Sequence, residues 1–493
     1  MQGSPGWYNH AIMNPPQKEL SQGLSLPIRC SEVLDHSFTS RKAVAAELEY
    51  GNSDLIRVLQ ISGVAGPFKV ATPWEYEDEN AVRRINAGGY AALPFGDRYP
   101  PLVDFMMEYL REDNSQGFPQ QAASAWRAAL ETNLVALLAQ FAPSHKDSRV
   151  FFSNSGAEAI ETAIKFARMA RPKANRIINF TGAYHGKTYA PLSLTPNREY
   201  QDPFRPLMPG VITVPYGDIR AFRKAVRSAG GHRIAAVFVE PIQGEAGVII
   251  PPPGFLKEIG EVCTKHGIIV VADEIQTGLG RCGHWFASIA GGLEPDIVTL
   301  AKPLGGGLVP VGATIARKDI YAKMLSGMSC KRHSNTFGGG SLAMAVGLKS
   351  LEILVEEDLP ARSMALGTEA LDKFKGLATR YPKLIEAVRG QGLLMAVQFK
   401  PVIPFKVPFA SELIGEFSGV LGLRMFHEFG VHANLSLSSK RVVRFTPALN
   451  IPDNLFAEFL SRIEAAAAAN PSGTSMLKNT PIDVTVGLTK FSL

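Results

Sequence analysis

The chain has 493 residues, which is long enough for two or more domains or for one large α/β unit. Hydrophobic residues make up 46% and charged residues 19% of it, as in an ordinary soluble globular protein, and no apolar run approaches the ~18 residues of a membrane span. The net charge of +6 comes from scattered basic residues, so neither a nucleic-acid partner nor a membrane span is indicated.

The cysteines are few and far apart. Four are present, without any CxxC pair, at Cys30, Cys263, Cys282 and Cys330. This spacing favours neither a disulfide framework nor a zinc site, so no metal centre is expected. The N-terminus also lacks the charged-then-apolar order of a secretory signal. These features predict a reducing, cytoplasmic setting.

The pattern changes along the chain. Residues 1–45 are rich in Pro, Ser and Gly and are predicted to form an extension. From about 150 to 320, apolar strand patterns alternate with helical ones, which indicates a mostly parallel sheet covered by helices. The predicted strands are Arg149–Ser153, Arg176–Phe180, Ile234–Glu240, Gly267–Ala272, Asp296–Leu300 and Gly312–Ala316. Two helices are predicted in this region and after it, at Gly156–Ala170 and near Ser341–Glu356.

Beyond Pro382 the order of elements is different. Strands are predicted around Leu393–Phe399 and Val442–Phe445, followed by a helix near Asn454–Ala468. This pattern is typical of a smaller α+β domain. From Pro471 onward no pattern is evident.

Polar residues follow two neighbouring strands. Asp273 comes directly after the strand Gly267–Ala272, and Lys302 follows Asp296–Leu300 and precedes a glycine-rich turn. Side chains at the ends of parallel strands can form a site above the sheet. A lysine shielded from water can attack a carbonyl, and an aspartate can pair with a protonated pyridine nitrogen, as in pyridoxal-phosphate sites. Taken alone, Lys302 could also be a solvated lysine.

Two further segments could hold a flat phosphorylated cofactor. Ser155, Gly156 and Ala157 open the helix Gly156–Ala170, where free backbone N–H groups and the helix dipole suit a phosphate. The same residues would form a plain capping box with or without phosphate. Tyr184, followed by His185 and a glycine, could stack on a heteroaromatic ring or be a half-buried surface tyrosine.

Charged residues elsewhere suggest a substrate pocket. Glu240 and Glu245 follow a strand and could pair with arginines or helix ends, or could orient a substrate. Arg444 lies among apolar strand residues and needs a partner. That partner is either a substrate carboxylate or an internal carboxylate, for which Glu245 is the candidate in the absence of substrate.

Six motifs together carry a family resemblance: NSGAEAIETAIKFAR, YHGKT, VEPIQGEAG, VADEIQTGLGRCG, LAKPLGGGLVPVGA and SNTFGG. From about Trp74 to Pro447 the sequence resembles the class III, fold-type-I pyridoxal-phosphate aminotransferases, the group of ornithine, acetylornithine and 4-aminobutyrate transaminases. The family's usual Gly-His-x-His-Pro stands here as Gly96-Asp-Arg-Tyr-Pro100, a departure that bears on the choice of substrate.

The resemblance implies a fold and a division of the chain. The expected fold is α/β, with a mostly parallel sheet of the seven-stranded type in a large cofactor-binding domain at 111–375. The smaller α+β domain would be built from residues 46–110 and 376–470, flanked by the extension 1–45 and a tail at 471–493. A homodimer with shared active sites is also implied.

The resemblance also implies roles for single residues. Lys302 would be the Schiff-base lysine, Asp273 the partner of the pyridinium nitrogen, and Gln276 a neighbour of the phenolic oxygen. Tyr184 would stack on the ring, with His185 and Glu240 also in the cofactor site. Ser155, Gly156 and Ala157 would hold the phosphate, and Thr336 would reach the phosphate of the neighbouring subunit. Glu245 and Arg444 resemble the pair through which ornithine-type members admit either an ω-amine or an α-carboxylate.

The expected activity is therefore that of a pyridoxal-phosphate-dependent aminotransferase. One substrate pair would be glutamate and 2-oxoglutarate, and the other an ω-amine and its aldehyde or ketone, in a ping-pong mechanism. Two alternatives remain open at this point. The same fold serves aminomutases, racemases and decarboxylases of amino acids, and a non-catalytic binding protein could retain it.

Overall fold

The computed structural model describes residues 26–113, 121–402, 410–481 and 484. They divide into two compact units. The first comprises, of the described residues, 26–58 and 65–67. It contains the helices Cys30–Leu34 (α1) and Ser40–Tyr50 (α2) and the beginning of Ser53–Ile61 (α3). Helix α2 starts after Thr39, whose side chain accepts a hydrogen bond from the backbone N–H of Lys42. Helix α1 and part of α2 thus occupy the predicted extension 1–45, of which residues 1–25 lie outside the described residues.

The second unit comprises residues 59–64 and those from 68 onward. Its strands are Lys69–Thr72 (β1), Glu75–Glu77 (β2), Arg83–Asn86 (β3), Arg149–Ser153 (β4), Arg176–Phe180 (β5), Val211–Val214 (β6), Ile234–Val239 (β7), Ile269–Asp273 (β8), Ile297–Leu300 (β9), Gly312–Ala316 (β10), Ile385–Gln391 (β11), Leu394–Phe399 (β12), Val431–His432 (β13), Asn434–Ser436 (β14) and Ser439–Phe445 (β15).

Its helices are Pro100–Arg111 (α4), Ala125–Phe141 (α5), Gly156–Ala170 (α6), Tyr189–Ser193 (α7), Arg198–Gln201 (α8), Ile219–Ala229 (α9), Phe255–His266 (α10), Ala287–Ala290 (α11), Lys318–Met324 (α12), Ser341–Glu356 (α13), Leu359–Arg380 (α14), Ala410–Glu428 (α15), Asp453–Ala469 (α16) and Gly473–Asn479 (α17). Helix α17 lies in the region from Pro471 where the sequence showed no pattern. Residues 482–483 and 485–493 of that region are outside the described residues. In the part of the chain that the structure describes, no helix is both long and apolar enough to cross a bilayer.

A seven-stranded sheet forms the centre of the second unit. Its order is β4-β10-β9-β8-β7-β5-β6, and the strands from β9 to β6 pair in parallel, whereas β10 runs antiparallel to both of its neighbours. All residues of β7 are buried, as expected for a strand covered on both faces. The predicted mostly parallel sheet is confirmed. The sequence missed β6, an edge strand with only one fully buried residue and therefore a weak apolar signal.

The helix predicted at Gly156–Ala170 is confirmed with the same bounds and is α6. Its predicted apolar face, Ile160, Ala163, Ile164 and Ala167, is buried. Burying a side chain the size of Ile160 contributes about 1.5–3 kcal/mol to folding. This packing holds the N-terminus of α6 against the carboxyl edge of the sheet, because the helix follows directly from β4.

Two smaller four-stranded sheets accompany the central one. Strands β11, β12, β15 and β14 form an antiparallel sheet in that order. In the other sheet, β1-β2-β3-β13, the last strand pairs in parallel with β3, so that Val431 lies opposite Ile85. This pairing joins two segments that are far apart in the sequence.

Two histidines, His427 buried and His432 partly buried, lie next to each other near β13. The rings of His427 and His432 lie 5.9 Å apart, and the Nδ1 atoms of both are buried without a hydrogen-bond partner among the described residues. Burial, and then the charge of Arg84, lowers the pKa of His427 to about 3 and that of His432 to about 4. Both are therefore neutral in the folded protein near pH 7.

This pair should make the fold sensitive to mild acid. An unfolded histidine titrates near pH 6.5, so each side chain takes up a proton on unfolding between that pH and its folded pKa. Stability is therefore retained above pH 6.5 and falls below it, by roughly 1.4 kcal/mol per histidine per pH unit. Thermal midpoints between pH 7 and pH 5 should fall less steeply in H427Q/H432Q than in the wild type. H232Q, at an exposed histidine, is the control, and equal slopes in the double variant and the wild type would contradict the prediction.

Candidate active site

A cavity of about 260 Å³ lies at the carboxyl ends of β7, β8 and β9. Adjacent parallel strands end at the same edge of a sheet, so residues that follow them meet there. The cavity is lined by Gly156, Ala157, Tyr184, His185, Gly186, Lys187, Glu240, Glu245, Asp273, Ile275, Gln276, Thr277, Ala301 and Lys302.

Asp273 is held rigidly at the end of β8. Its Oδ2 lies 2.7 Å from Nδ1 of His185, and since a carboxylate only accepts hydrogen bonds, that nitrogen carries the proton. Its Oδ1 accepts a hydrogen bond of 3.1 Å from the backbone N–H of Ile275. Nε2 of His185 is buried without a partner among the described residues. The carboxylate is thus fixed in direction while it lines the cavity.

Lys302 begins the short 3-10 helix that follows β9. Burial lowers the pKa of its ammonium group, although the negative charges of Glu245, Asp273 and Glu240 oppose the effect. No hydrogen bond from its Nζ is found among the described residues. Lys302 therefore loses its proton more readily than an exposed lysine does. Nucleophilic attack and proton removal both require a neutral amine.

Glu240 follows β7 and also lines the cavity. One of its oxygens accepts a hydrogen bond of 2.9 Å from the backbone N–H of Tyr184. Burial, and then the neighbouring Asp273, raises its pKa well above the usual value. Glu240 therefore fixes the loop that carries Tyr184, whose own pKa is raised by burial first and by Glu245 next.

The first turn of α6 supplies an anion-binding end to the cavity. The Ser155 hydroxyl caps the helix by accepting the N–H of Glu158, while the N–H groups of a first helical turn have no intrahelical acceptor. Space there is tight, because a Cβ on Gly156 would come 3.0 Å from Ile275 and one on Gly186 would come 2.8 Å from the Ala157 side chain. Glycine at both positions lets backbone face the cavity.

A buried ion pair closes another side of the cavity. Nη1 of Arg444 donates to Oε1 of Glu245 at 2.7 Å and to Oε1 of Gln276 at 3.3 Å. Gln276 in turn donates to Glu245 at 3.3 Å. Burial raises the pKa of Glu245, but Arg444 and Lys302 outweigh it and hold that pKa below the usual value. Of the two partners proposed for Arg444, the structure contains the internal one.

Arg444 still has capacity for a ligand. Its Nε and Nη2 atoms are buried and have no hydrogen-bond partner among the described residues. Its guanidinium lies 5.8 Å from the centre of the Tyr90 ring. Unused donors of a buried guanidinium fork suit a planar carboxylate.

Two residues assigned to cofactor binding do not line this cavity. Ser155 caps α6 directly before Gly156, which does line it. Thr336, expected at the cofactor of a neighbouring subunit, is exposed. Conversely, Lys187, Ile275 and Tyr90 were not assigned a role from the sequence. Lys187 lies within the YHGKT motif, which was a usable signal, whereas Tyr90 reaches Arg444 through tertiary folding alone.

The groups around the cavity fit pyridoxal phosphate. The free N–H groups of α6 suit its phosphate, the Asp273 carboxylate its ring nitrogen, and the amine of Lys302 its aldehyde. Buried His185 holds the carboxylate in place. Sheet, cavity and donor set together define a pyridoxal-phosphate enzyme of the fold-type-I class.

Comparisons with known proteins agree. A model of the aminotransferase class-III family matches residues 76–467, so the chain belongs to this family. Ornithine aminotransferase of Toxoplasma gondii ME49 is 26% identical, with a TM-score of 0.77, over 90% of this chain and 99% of that chain. An amine transaminase from an uncultivated Pseudomonas species, solved in its PLP-bound form, is 27% identical, with a TM-score of 0.72, over 81% of this chain and 94% of that one.

A third similar structure is acetylornithine aminotransferase from Elizabethkingia anophelis. It is 27% identical, with a TM-score of 0.68, over 87% of this chain and 99% of that chain. The chain is therefore a pyridoxal-phosphate-dependent aminotransferase of class III with the fold-type-I architecture, as its motifs predicted.

Proposed function

We propose that this aminotransferase moves an amino group between the glutamate/2-oxoglutarate pair and an ω-amine or its carbonyl product, by a ping-pong mechanism. The observation that carries the proposal is Arg444, whose buried Nε and Nη2 donors have no partner among the described residues beside a cavity containing Lys302. Similarity to ornithine aminotransferases and an amine transaminase supports both kinds of substrate.

The positions of the residues around the cavity support a separate chemical role for each of them. When bound, pyridoxal phosphate supplies an aldehyde that takes up the amino group and a ring that accepts an electron pair. The carboxylate of Asp273, fixed by His185, keeps a proton on the ring nitrogen. Neutral Nζ of Lys302 would take the proton from the donor's carbon and deliver it to the carbon of the cofactor's aldehyde group. The first turn of α6, with Gly156 and Ala157, would hold the phosphate, and the Tyr184 ring would stack on the heterocycle.

Gln276 lies between the position expected for the cofactor and the Glu245–Arg444 ion pair. The family resemblance places it beside the phenolic oxygen of the cofactor, and here its amide also bonds Glu245 and Arg444. Its side chain thereby links the cofactor position to the carboxylate-binding position. A substrate carboxylate bound by Arg444 displaces Glu245, whereas an amine without a carboxylate leaves the ion pair intact.

The proposal extends to the assembly and its setting. Thr336 is exposed and next to Phe337, of which 73% is exposed. Such a surface supports a homodimer in which Thr336 reaches the neighbouring cofactor phosphate.

All four cysteines are free thiols, which supports a reducing, cytoplasmic location. We retain 111–375 as the cofactor-binding domain and 46–110 with 376–470 as the smaller one.

The direct test is amino transfer itself. The purified protein is loaded with pyridoxal phosphate, mixed with ¹⁵N-glutamate and followed by visible absorption, after which a panel of ω-aldehydes is added. Loss of the cofactor's absorption band, followed by ¹⁵N in the new amine, is the expected result. A product that keeps its own nitrogen, or loses carbon dioxide, would replace the proposal with a mutase or decarboxylase.

Arg444→Gln should separate the two substrate types. Loss of the guanidinium removes two charge-assisted hydrogen bonds to a carboxylate, so KM for 2-oxoglutarate should rise about 10- to 100-fold. KM for an amine without a carboxylate should change far less. Arg441→Gln, on the same strand but paired with Glu386 near the surface, is the matched control. An equal rise for both substrates would contradict the role of Arg444.

A further inference from the structure

The turn between β14 and β15 holds Glu245 in place. The backbone N–H of Leu437 donates to Oε2 of Glu245 at 3.1 Å, and that of Ser438 donates to its backbone carbonyl at 3.0 Å. The following strand, β15, carries Arg444. One hairpin therefore provides both the cation that pairs with Glu245 and the amides that keep Glu245 beside that cation.

Tyr200 attaches this turn to another part of the molecule. Its hydroxyl, on α8, donates to the backbone carbonyl of Leu437 at 3.1 Å. Nζ of Lys187 lies 4.0 Å from the centre of its ring. Tyr200 does not line the cavity, so it touches neither cofactor nor substrate there. Its ring contacts Lys187, which lines the cavity, whereas its hydroxyl acts on the site through Leu437.

Glu245 and a substrate carboxylate compete for the same guanidinium. Apparent affinity for the substrate is reduced by the fraction of molecules in which Glu245 occupies Arg444. Any contact that keeps Glu245 in place, including the amide of Leu437, increases that fraction. A contact that positions Leu437 therefore acts on carboxylate substrates and leaves amine substrates without a carboxylate unaffected.

We propose that Tyr200 is a positioning residue for specificity, which holds the Leu437 turn against Glu245 and so weakens the binding of carboxylate substrates at Arg444. This inference rests on the proposed function, because it presupposes that a substrate carboxylate binds at Arg444. It adds a residue outside the cavity to those that set the preference between 2-oxo acids and amines.

Tyr200→Phe is the test, since it removes the hydroxyl and keeps the ring beside Lys187. KM for 2-oxoglutarate should fall about 2- to 10-fold, the change in affinity that the loss of one hydrogen bond produces. Both kcat and KM for the best ω-amine of the wild type should stay within twofold. Tyr189→Phe is the matched control, because Tyr189 also donates to backbone carbonyls, those of Phe204 and Pro206. It should change none of these constants.

A double variant shows whether the effect passes through Glu245. Contacting residues give non-additive effects, so Tyr200→Phe should have no effect on KM for 2-oxoglutarate in a Glu245→Gln background. An unchanged or higher KM in Tyr200→Phe, an equal change for both substrates, or full additivity with Glu245→Gln would each overturn the inference. A wild-type enzyme that does not use 2-oxoglutarate at all would overturn the proposed substrate pair first, and the inference with it.

Discussion

Lys302→Ala should lower the rate of amino transfer by about 10⁴-fold. Lys302 is the amine beside Asp273 in the cavity, and burial lowers its pKa. A positioned acid–base group contributes about 10²–10⁴-fold, and loss of the nucleophile acts on the same step. Initial rates with glutamate as donor measure the change.

Two further variants make this result specific. Lys302→Arg keeps a cation that does not lose its proton in proteins, so it should be as inactive as the alanine variant. Lys318→Ala removes an exposed lysine near the start of α12 and should retain wild-type activity. A Lys302→Ala protein with activity within tenfold of the wild type would instead support a function that does not depend on this lysine.

Asp273→Asn should lower kcat by roughly 30- to 4,000-fold, which corresponds to about 2–5 kcal/mol for removing one charge of a buried pair. The substitution keeps the shape of the side chain but removes the negative charge that holds a proton on the ring nitrogen. It also changes the acceptor of the 2.7 Å contact with His185. Single-turnover rates with saturating glutamate isolate the chemical step.

Asp296→Asn is the control for this effect. Asp296 lies at the opposite edge of the same sheet, where it accepts the N–H of Val270 and pairs with Arg317. Its loss should lower the thermal midpoint and leave kcat nearly unchanged. If Asp273→Asn also affected only the thermal midpoint, Asp273 would have a structural role and the assignment of the ring partner would be wrong.

Much of the cofactor-binding region could be predicted from local sequence. Asp273 and Lys302 each follow a short apolar run, and neighbouring parallel strands bring such residues to one edge of a sheet. The helix α6 was predicted with its observed bounds, because its apolar residues recur with helical period and a capping serine precedes them. These are short-range patterns, and a short-range pattern is what a sequence displays directly.

The substrate side of the site could not be predicted in the same way. The sequence left two partners for Arg444, a substrate carboxylate or Glu245, and these residues are 199 positions apart. Tyr90 and the Leu437 turn gave no local signal, since each acquires its contact with Arg444 or Glu245 only when strands from distant segments pair. The edge strand β6 was missed for a related reason, since its burial depends on its one neighbour in the sheet.

The sequence by itself determined the family, the cofactor and the central sheet, because motif residues and apolar periods are encoded within short stretches. Only the tertiary structure decided that Arg444 pairs with Glu245 while two of its donors remain free, and that a hairpin turn tied to Tyr200 holds this pair. The physical reason is that buried charges are positioned by whichever distant groups pack around them, and packing between distant segments is a property of the folded chain.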